Sequence, residues 1–296
     1  MTALSKAMPP KETALSDSAG LAVLESNAAH RRNEAAPEPA ITVTVRDLYK
    51  TYRTDAGPID ALAGITLDVN KGEFLTVLGP SGCVKSTLLK CIAGLEKISR
   101  GSIAVNGETV KGPPPDLGIV FQRDLLLDWR NILDNILINV EFLGLKRGKF
   151  VDRARRLLAL FGLDGYERRF PWELSGGMRQ RVAICRALID DPGFLLMDEP
   201  FGALDAMTRD ELNLELQRIW VADKKTVLFI THSVPEAVFL SDRVIVLDRN
   251  PGRIAAEFTI DLPRPRRLSD RDKPAFARCS AEIRATITGM GAMRDE

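Results

Sequence analysis

The sequence predicts an α/β fold: a mainly parallel sheet covered by helices, with a smaller antiparallel flap and an inserted helical segment. Three observations carry this. Phe74–Leu78, Phe194–Met197 and Thr226–Thr231 are short, largely apolar runs, the pattern of strands buried on both faces. Stretches with helical periodicity separate them, so the strands are joined by crossovers and run parallel. From about Gln122 to Glu173 apolar residues recur at helical spacing with little strand signal, which marks an insertion.

Residues 1 to about 40 are rich in Ala, Ser, Glu and Pro. They read as a flexible tail, with a docking segment as the alternative. Ile41–Val45 alternates as a half-exposed strand does, and a second strand is expected at Ile65–Val69; these form the flap. Phe74–Leu78 then runs into a Gly-rich turn and a helix over Ser86–Leu95. Ser102–Val105 is a short strand before Asn-Gly, and Leu117–Phe121 is another. Helices are expected over Asn131–Leu145, Val151–Phe161, Gly177–Ile189 and Ala206–Val221. A further helix follows the strand Thr226–Thr231 and leads to a strand at Arg243–Leu247. From about Asp261 the chain carries Leu-Pro-Arg-Pro-Arg-Arg and a charged helical segment, Lys273–Thr286. That segment reads as a surface appendage, with a regulatory or partner-contacting role as the alternative.

Bulk properties narrow the function classes. The 41 basic residues nearly balance the 40 acidic ones, whereas a protein gripping nucleic acid by its backbone usually has a basic excess. No nucleic-acid partner is expected, so any bound anion needs a local device. Cys83, Cys91, Cys185 and Cys279 are widely spaced with no C-x-x-C pair, which suits a reducing compartment better than zinc or disulfides. No run reaches the roughly 18–20 apolar residues a membrane helix needs, and Leu21–Leu24 is too short for a signal-peptide core. A soluble, cytoplasmic chain is expected.

The local device is Gly79-Pro80-Ser81-Gly82-Cys83-Val84-Lys85-Ser86-Thr87. It follows a buried strand and opens a helix, the context of a phosphate-binding P-loop. Backbone N–H groups and the positive end of the helix dipole suit the dense charge of ATP. Lys85 would reach the β- and γ-phosphates, and Ser86 would ligate Mg²⁺. Val84 stands where the pattern has glycine. A β-branched side chain there crowds a backbone meant to approach phosphate, so weaker ATP binding or turnover than in a Val84→Gly variant is expected. A corner that has lost its ligand is the alternative.

Further segments occur in order. Leu174–Arg181 reads LSGGMRQR, and Ser175, Gly176 and Gly177 start a helix and make a second anion cradle. Phe194–Glu199 is a strand ending in two acids, Asp198 for Mg²⁺ and Glu199 to activate water; Pro200–Asp205 follows directly. Gln122 ends a strand 37 residues after Lys85, and His232 ends another.

With these motifs the chain resembles the ABC ATPase family over about Ile41–Arg253. The resemblance implies a RecA-like P-loop core, a helical subdomain near 123–175 and a β-flap, within a domain spanning 41–260, with 261–296 as an extension. Gln122 matches the Q-loop, which ligates Mg²⁺ or positions water, and His232 matches the switch histidine at the γ-phosphate. Asp205 falls in the D-loop. Tyr52 resembles the aromatic residue that stacks on adenine, with Tyr49 as its competitor. The implied partners are a second ATP-binding subunit joined head to tail, membrane-embedded permease subunits and, indirectly, a substrate-binding protein. The implied place is the cytoplasmic face of the inner membrane, held there through the permease. FQRDLLLDWRNILDNI, LSGGMRQRVAICRAL, DEPFGALDAMTR, NPGRI and LPRPR resemble the nitrate, sulfonate and taurine import group. A catalytically weak regulatory subunit and a non-transport ABC ATPase are the competing readings.

Overall fold

The computed structural model describes residues 41–79, 84–202, 204–248 and 251–290; the tail reading and Pro80–Cys83 lie outside these. Two sheets organise the chain. β1 (Ile41–Thr54) and β2 (Gly57–Asn70) form a long hairpin, extended by β4 (Arg100–Val105) and β5 (Glu108–Thr109) into an antiparallel sheet ordered β2-β1-β4-β5. β3 (Phe74–Leu78), β6 (Leu117–Val120), β7 (Phe194–Asp198), β8 (Thr226–Thr231), β9 (Arg243–Leu247) and β10 (Ile254–Thr259) form the second, ordered β10-β9-β3-β8-β7-β6. Within it β9, β3, β8, β7 and β6 are parallel, and only β10 is antiparallel.

Every residue of β3, β7 and β8 is buried, because each strand is covered on both faces. On one face, Phe74 and Phe229 pack with centroids 5.8 Å apart and Phe201 lies 5.6 Å from Phe229. This larger apolar cluster takes in the insertion and the later helices. On the other face lies a second cluster between the two sheets, which includes α1 (Lys85–Ile92).

The insertion departs from the expected single helix over Asn131–Leu145. It holds α2 (Ile132–Ile136) and α3 (Ile138–Phe142), broken at Leu137. Asn131 caps α2, and the fully buried Asn135 amide donates to the carbonyls of Leu127, Arg130 and Asn131. Side-chain bonds to the preceding loop thus compete with helix propagation here. α4 (Val151–Leu160) follows, and α2, α3 and α4 all pack on α5 (Gly176–Leu188).

α6 (Ala206–Asp223), α7 (Val234–Leu240) and α8 (Pro274–Gly289) complete the larger layer. β10 is an edge strand the sequence reading did not anticipate. The C-terminal helix is not merely a surface appendage. Phe276, Ile283 and Ile287 on α8 are buried in the larger cluster, and α8 packs against α7.

Candidate functional site

Four adjacent parallel strands deliver the site at their carboxyl ends. β3 leads to Gly79 and α1, β6 to Gln122, β7 to Asp198 and Glu199, and β8 to His232. Open parallel sheets place ligands beyond these strand ends.

Glu199 is the hub. Its carboxylate lies 3.5 Å from Lys85 Nζ. Oε2 accepts from Gln122 Nε2 at 3.3 Å and lies 3.3 Å from His232 Nδ1. Residues that follow three other strands, β3, β6 and β8, therefore meet on the carboxylate at the end of β7. Its backbone N–H donates to Ile230 O at 2.9 Å, and its φ is +43°. A non-glycine residue in the left-handed region is held there by its surroundings.

Lys85 is 3% exposed and also donates to Gly79 O at 2.9 Å. Ser86 Oγ donates to Asp198 Oδ1 at 3.0 Å. Burial raises the Asp198 carboxyl above the usual carboxylate range; the Ser86 bond opposes this, and the neighbouring Glu199 charge adds to it. The folded state therefore binds this proton more tightly than the unfolded chain, and the resulting stability is lost as pH rises through the folded value. At neutral pH the ionised group is a net cost. Asp198→Asn, which removes that charge, should raise the melting temperature of the apo protein, as scanning calorimetry would record.

Tyr52 sits beside α1, its hydroxyl 3.5 Å from Thr87 Oγ1 and its ring under Lys50 Nζ at 4.5 Å. Tyr49 instead lies under Arg100, 5.0 Å from its ring, with its hydroxyl near Gly64. Of the two tyrosines, Tyr52 is the one adjoining the phosphate-loop helix. Val84 is 7% exposed and belongs to the apolar cluster between the sheets, so its branched side chain packs in the core.

Ser175, Gly176, Gly177 and Asp205 form a second group at the N-termini of α5 and α6. Ser175 Oγ accepts from Met178 N at 3.3 Å, and Asp205 accepts from Thr208 N at 3.0 Å and from its hydroxyl at 2.7 Å. Both residues are thus helix caps. A Cβ on Gly177 would lie 3.1 Å from Thr208 Cγ2, so the two helix starts touch.

The structure adds residues the motifs did not single out. Arg179 pairs with Asp124 at 3.0 Å, Gln180 donates to Phe121 O at 3.2 Å, and Arg186 donates to Asp124 O and Leu125 O at 2.6 and 2.8 Å. α5 therefore grips both flanks of Gln122. Arg209 on α6 pairs at 3.4 Å with Glu236 on α7, which accepts from Thr231 Oγ1 at 2.6 Å. That network ties the segment after Asp205 to the strand end carrying His232. Polar residues at helical spacing after LSGG were the available signal.

An ammonium, a hydroxyl and two carboxylates at adjacent strand ends suit the binding of phosphate and a cation beside a carboxylate. Oxygen donors on Ser86 and Asp198 suit Mg²⁺, which is commonly held by one or two carboxylates plus substrate phosphates. Among the described residues no group of three or more His, Cys, Asp or Glu could build a metal cage of its own.

The family described as ABC transporter matches residues 62–202. The chain is 49% identical over 226 residues to an uncharacterised ABC transporter ATP-binding protein of Methanocaldococcus jannaschii, covering 76% of this chain and 85% of that protein. It is 46% identical over 236 residues to a taurine import ATP-binding protein of Rhizobium johnstonii, covering 77% and 89%. It is 42% identical over 226 residues to an aliphatic sulfonates import ATP-binding protein of Bacillus cereus, covering 76% and 89%. Among solved structures, a dimeric ATP-binding cassette in a post-hydrolysis state bound to ADP and Pi is similar at TM-score 0.68 and 29% identity, covering 75% of this chain and all of that one.

Proposed function

The chain belongs to the ABC transporter family and is an ATP hydrolase, and on that premise we propose that it energises an importer for a small anion such as taurine, an alkanesulfonate or nitrate. The convergence of Lys85, Gln122 and His232 on Glu199 is the observation that carries the reading of the site. The names of the curated relatives support the cargo class.

In this mechanism a triphosphate takes Lys85 from Glu199. Glu199 then accepts the proton of the attacking water, while Gln122 and His232 fix that water's direction. Ser86, Asp198 and the amide oxygen of Gln122 would hold Mg²⁺, which supplies neutralising charge at the β- and γ-phosphate oxygens. Tyr52 stacks on adenine, and the backbone of residues 79–87 cradles the phosphates. Ser175, Gly176 and Gly177 face the γ-phosphate held by a second, oppositely oriented copy, with Asp205 beside them. ATP closes the pair through contacts made only in the closed form, and hydrolysis releases it.

Among the described residues no helix is long and apolar enough to cross a membrane; the partner that receives the motion is a membrane-embedded permease, as the import names of the relatives suggest. The insertion supports a docking place. Trp129 and Phe142 are 74% and 81% exposed, and Leu125 and Leu143 are about half exposed, close in sequence to Gln122. We assign the permease's cytoplasmic helix to this face and the chain to the inner surface of the inner membrane. A substrate-binding protein would complete the system.

Phe142→Glu should lower recovery of the permease with this chain at least about tenfold and leave ATP affinity unchanged, since burying an unpaired charge costs several kcal/mol. Co-purification with the permease tests the transport reading; ATPase activity that ignores the permease would favour a non-transport ATPase. Val84 is the one observation favouring a catalytically weak subunit, and its packing bears on that directly.

A further inference from the structure

We infer that Gly252 is a positioning residue for the nucleotide site: its missing side chain makes the space that receives Val84. The inference rests on the ATP-binding reading above and deepens it, since it concerns how this chain carries valine immediately before Lys85.

Val84 occupies the start of α1, with φ −29° and ψ −22°, and its carbonyl accepts from Leu88 N at 2.9 Å. Its side chain joins Leu62, Leu88 and their neighbours in the apolar cluster. A Cβ on Gly252 would lie 2.7 Å from Val84 Cγ2 and 2.8 Å from Val84 Cβ. Carbon atoms attract at about 3.5–4.0 Å and repel well inside that.

Neither side has room to retreat. The Gly252 N–H donates to Ala61 O at 2.8 Å, and its carbonyl accepts from Ala63 N at 3.0 Å, so β2 holds its backbone from both directions. Valine is stiff at χ1 and has no flexible end to swing aside. Gly252 lies outside the left-handed region, so backbone conformation would permit alanine; the close approach alone demands glycine. A Cβ would also lie 3.1 Å from Ala61 O, a tight contact present whatever stands at 84. A methyl at 252 therefore displaces Val84, the residue directly before Lys85, whereas the same methyl opposite glycine meets only that carbonyl.

The test is a cycle of wild type, V84G, G252A and V84G/G252A. The readouts are calorimetric affinity for the non-hydrolysable analogue AMP-PNP with Mg²⁺, and melting temperature without nucleotide. G252A should weaken AMP-PNP binding at least tenfold in the wild-type background and less than threefold in the V84G background. It should also lower the melting temperature more in the former. An equal loss of affinity in both backgrounds, or none in either, overturns the positioning role. If none of the four binds AMP-PNP, the ATP reading itself falls, and the inferred role falls with it. The melting temperatures still report the contact in that case, so a packing partnership without a nucleotide role would be recognised as such.

Discussion

Replacing Glu199 with glutamine should lower steady-state ATP hydrolysis by about 10²- to 10⁴-fold, the range lost with a general base. Glutamine preserves the shape and the contact with His232 but cannot take a proton. It also removes the negative charge that holds Lys85 at 3.5 Å, so the ammonium is freer for phosphate and ATP affinity is kept or increased. Phosphate release measures the first effect and equilibrium binding the second. With hydrolysis blocked, the ATP-bound pair should persist in size-exclusion chromatography. Turnover above a tenth of wild type would mean that another group receives the proton.

Arg266→Ala should cost about 3–5 kcal/mol of stability, the range for breaking a buried charged network. Arg266 is 2% exposed. Its Nη1 donates to Val238, Phe239 and Ser241 carbonyls at 2.7, 3.1 and 2.9 Å, and Nη2 to Leu262 O at 3.0 Å. The first two carbonyls lie in the last turn of α7, where helices leave acceptors unsatisfied. Alanine would strand them in a dry interior. Burial, with Arg264 nearby, pulls the guanidinium down to about 10, so it remains charged at neutral pH. Arg266→Lys should recover little, since an ammonium lacks the planar fork that spans these carbonyls. A melting temperature within about 2 °C of wild type would contradict this account, given the usual few degrees per kcal/mol.

The readable parts of the fold were those where pattern and environment agree. β3, β7, β8 and β9 are buried and apolar, and their observed limits depart little from expectation. β1 and β2 run well past Ile41–Val45 and Ile65–Val69, because their outer halves, Tyr49–Thr54 and Gly57–Ala61, are polar, half-buried or exposed ribbon held by cross-strand bonds. β10 is an edge strand whose residues alternate between half-buried and exposed, so no apolar run announces it. In the C-terminal segment, Phe276, Ile283 and Ile287 stand at helical spacing within a charged stretch. Arg266 hides in a basic run of the kind that is usually solvated.

The motifs named the residues that converge on Glu199, but not their geometry. Nothing in linear order places Glu199 against Lys85, Gln122 and His232 together, since that depends on the strand order β3-β8-β7-β6. Nor does it reveal that Asp205 caps α6 in its own chain. The role of Gly252 was also hidden: NPGRI is a turn by composition, and its fit to Val84 comes from an approach across 168 residues of chain.

The strand order has a consequence for biosynthesis. β3 is made early, yet both its neighbours, β8 and β9, lie far downstream. At about 5–20 residues per second, a ribosome needs roughly 7–30 s to travel from the end of β3 to the start of β8. Throughout that interval a five-residue apolar strand has no partner on either edge, while the flap hairpin is already able to zip. Newly made chains should therefore engage a holding chaperone between these two moments, and slower translation should increase their loss to aggregation.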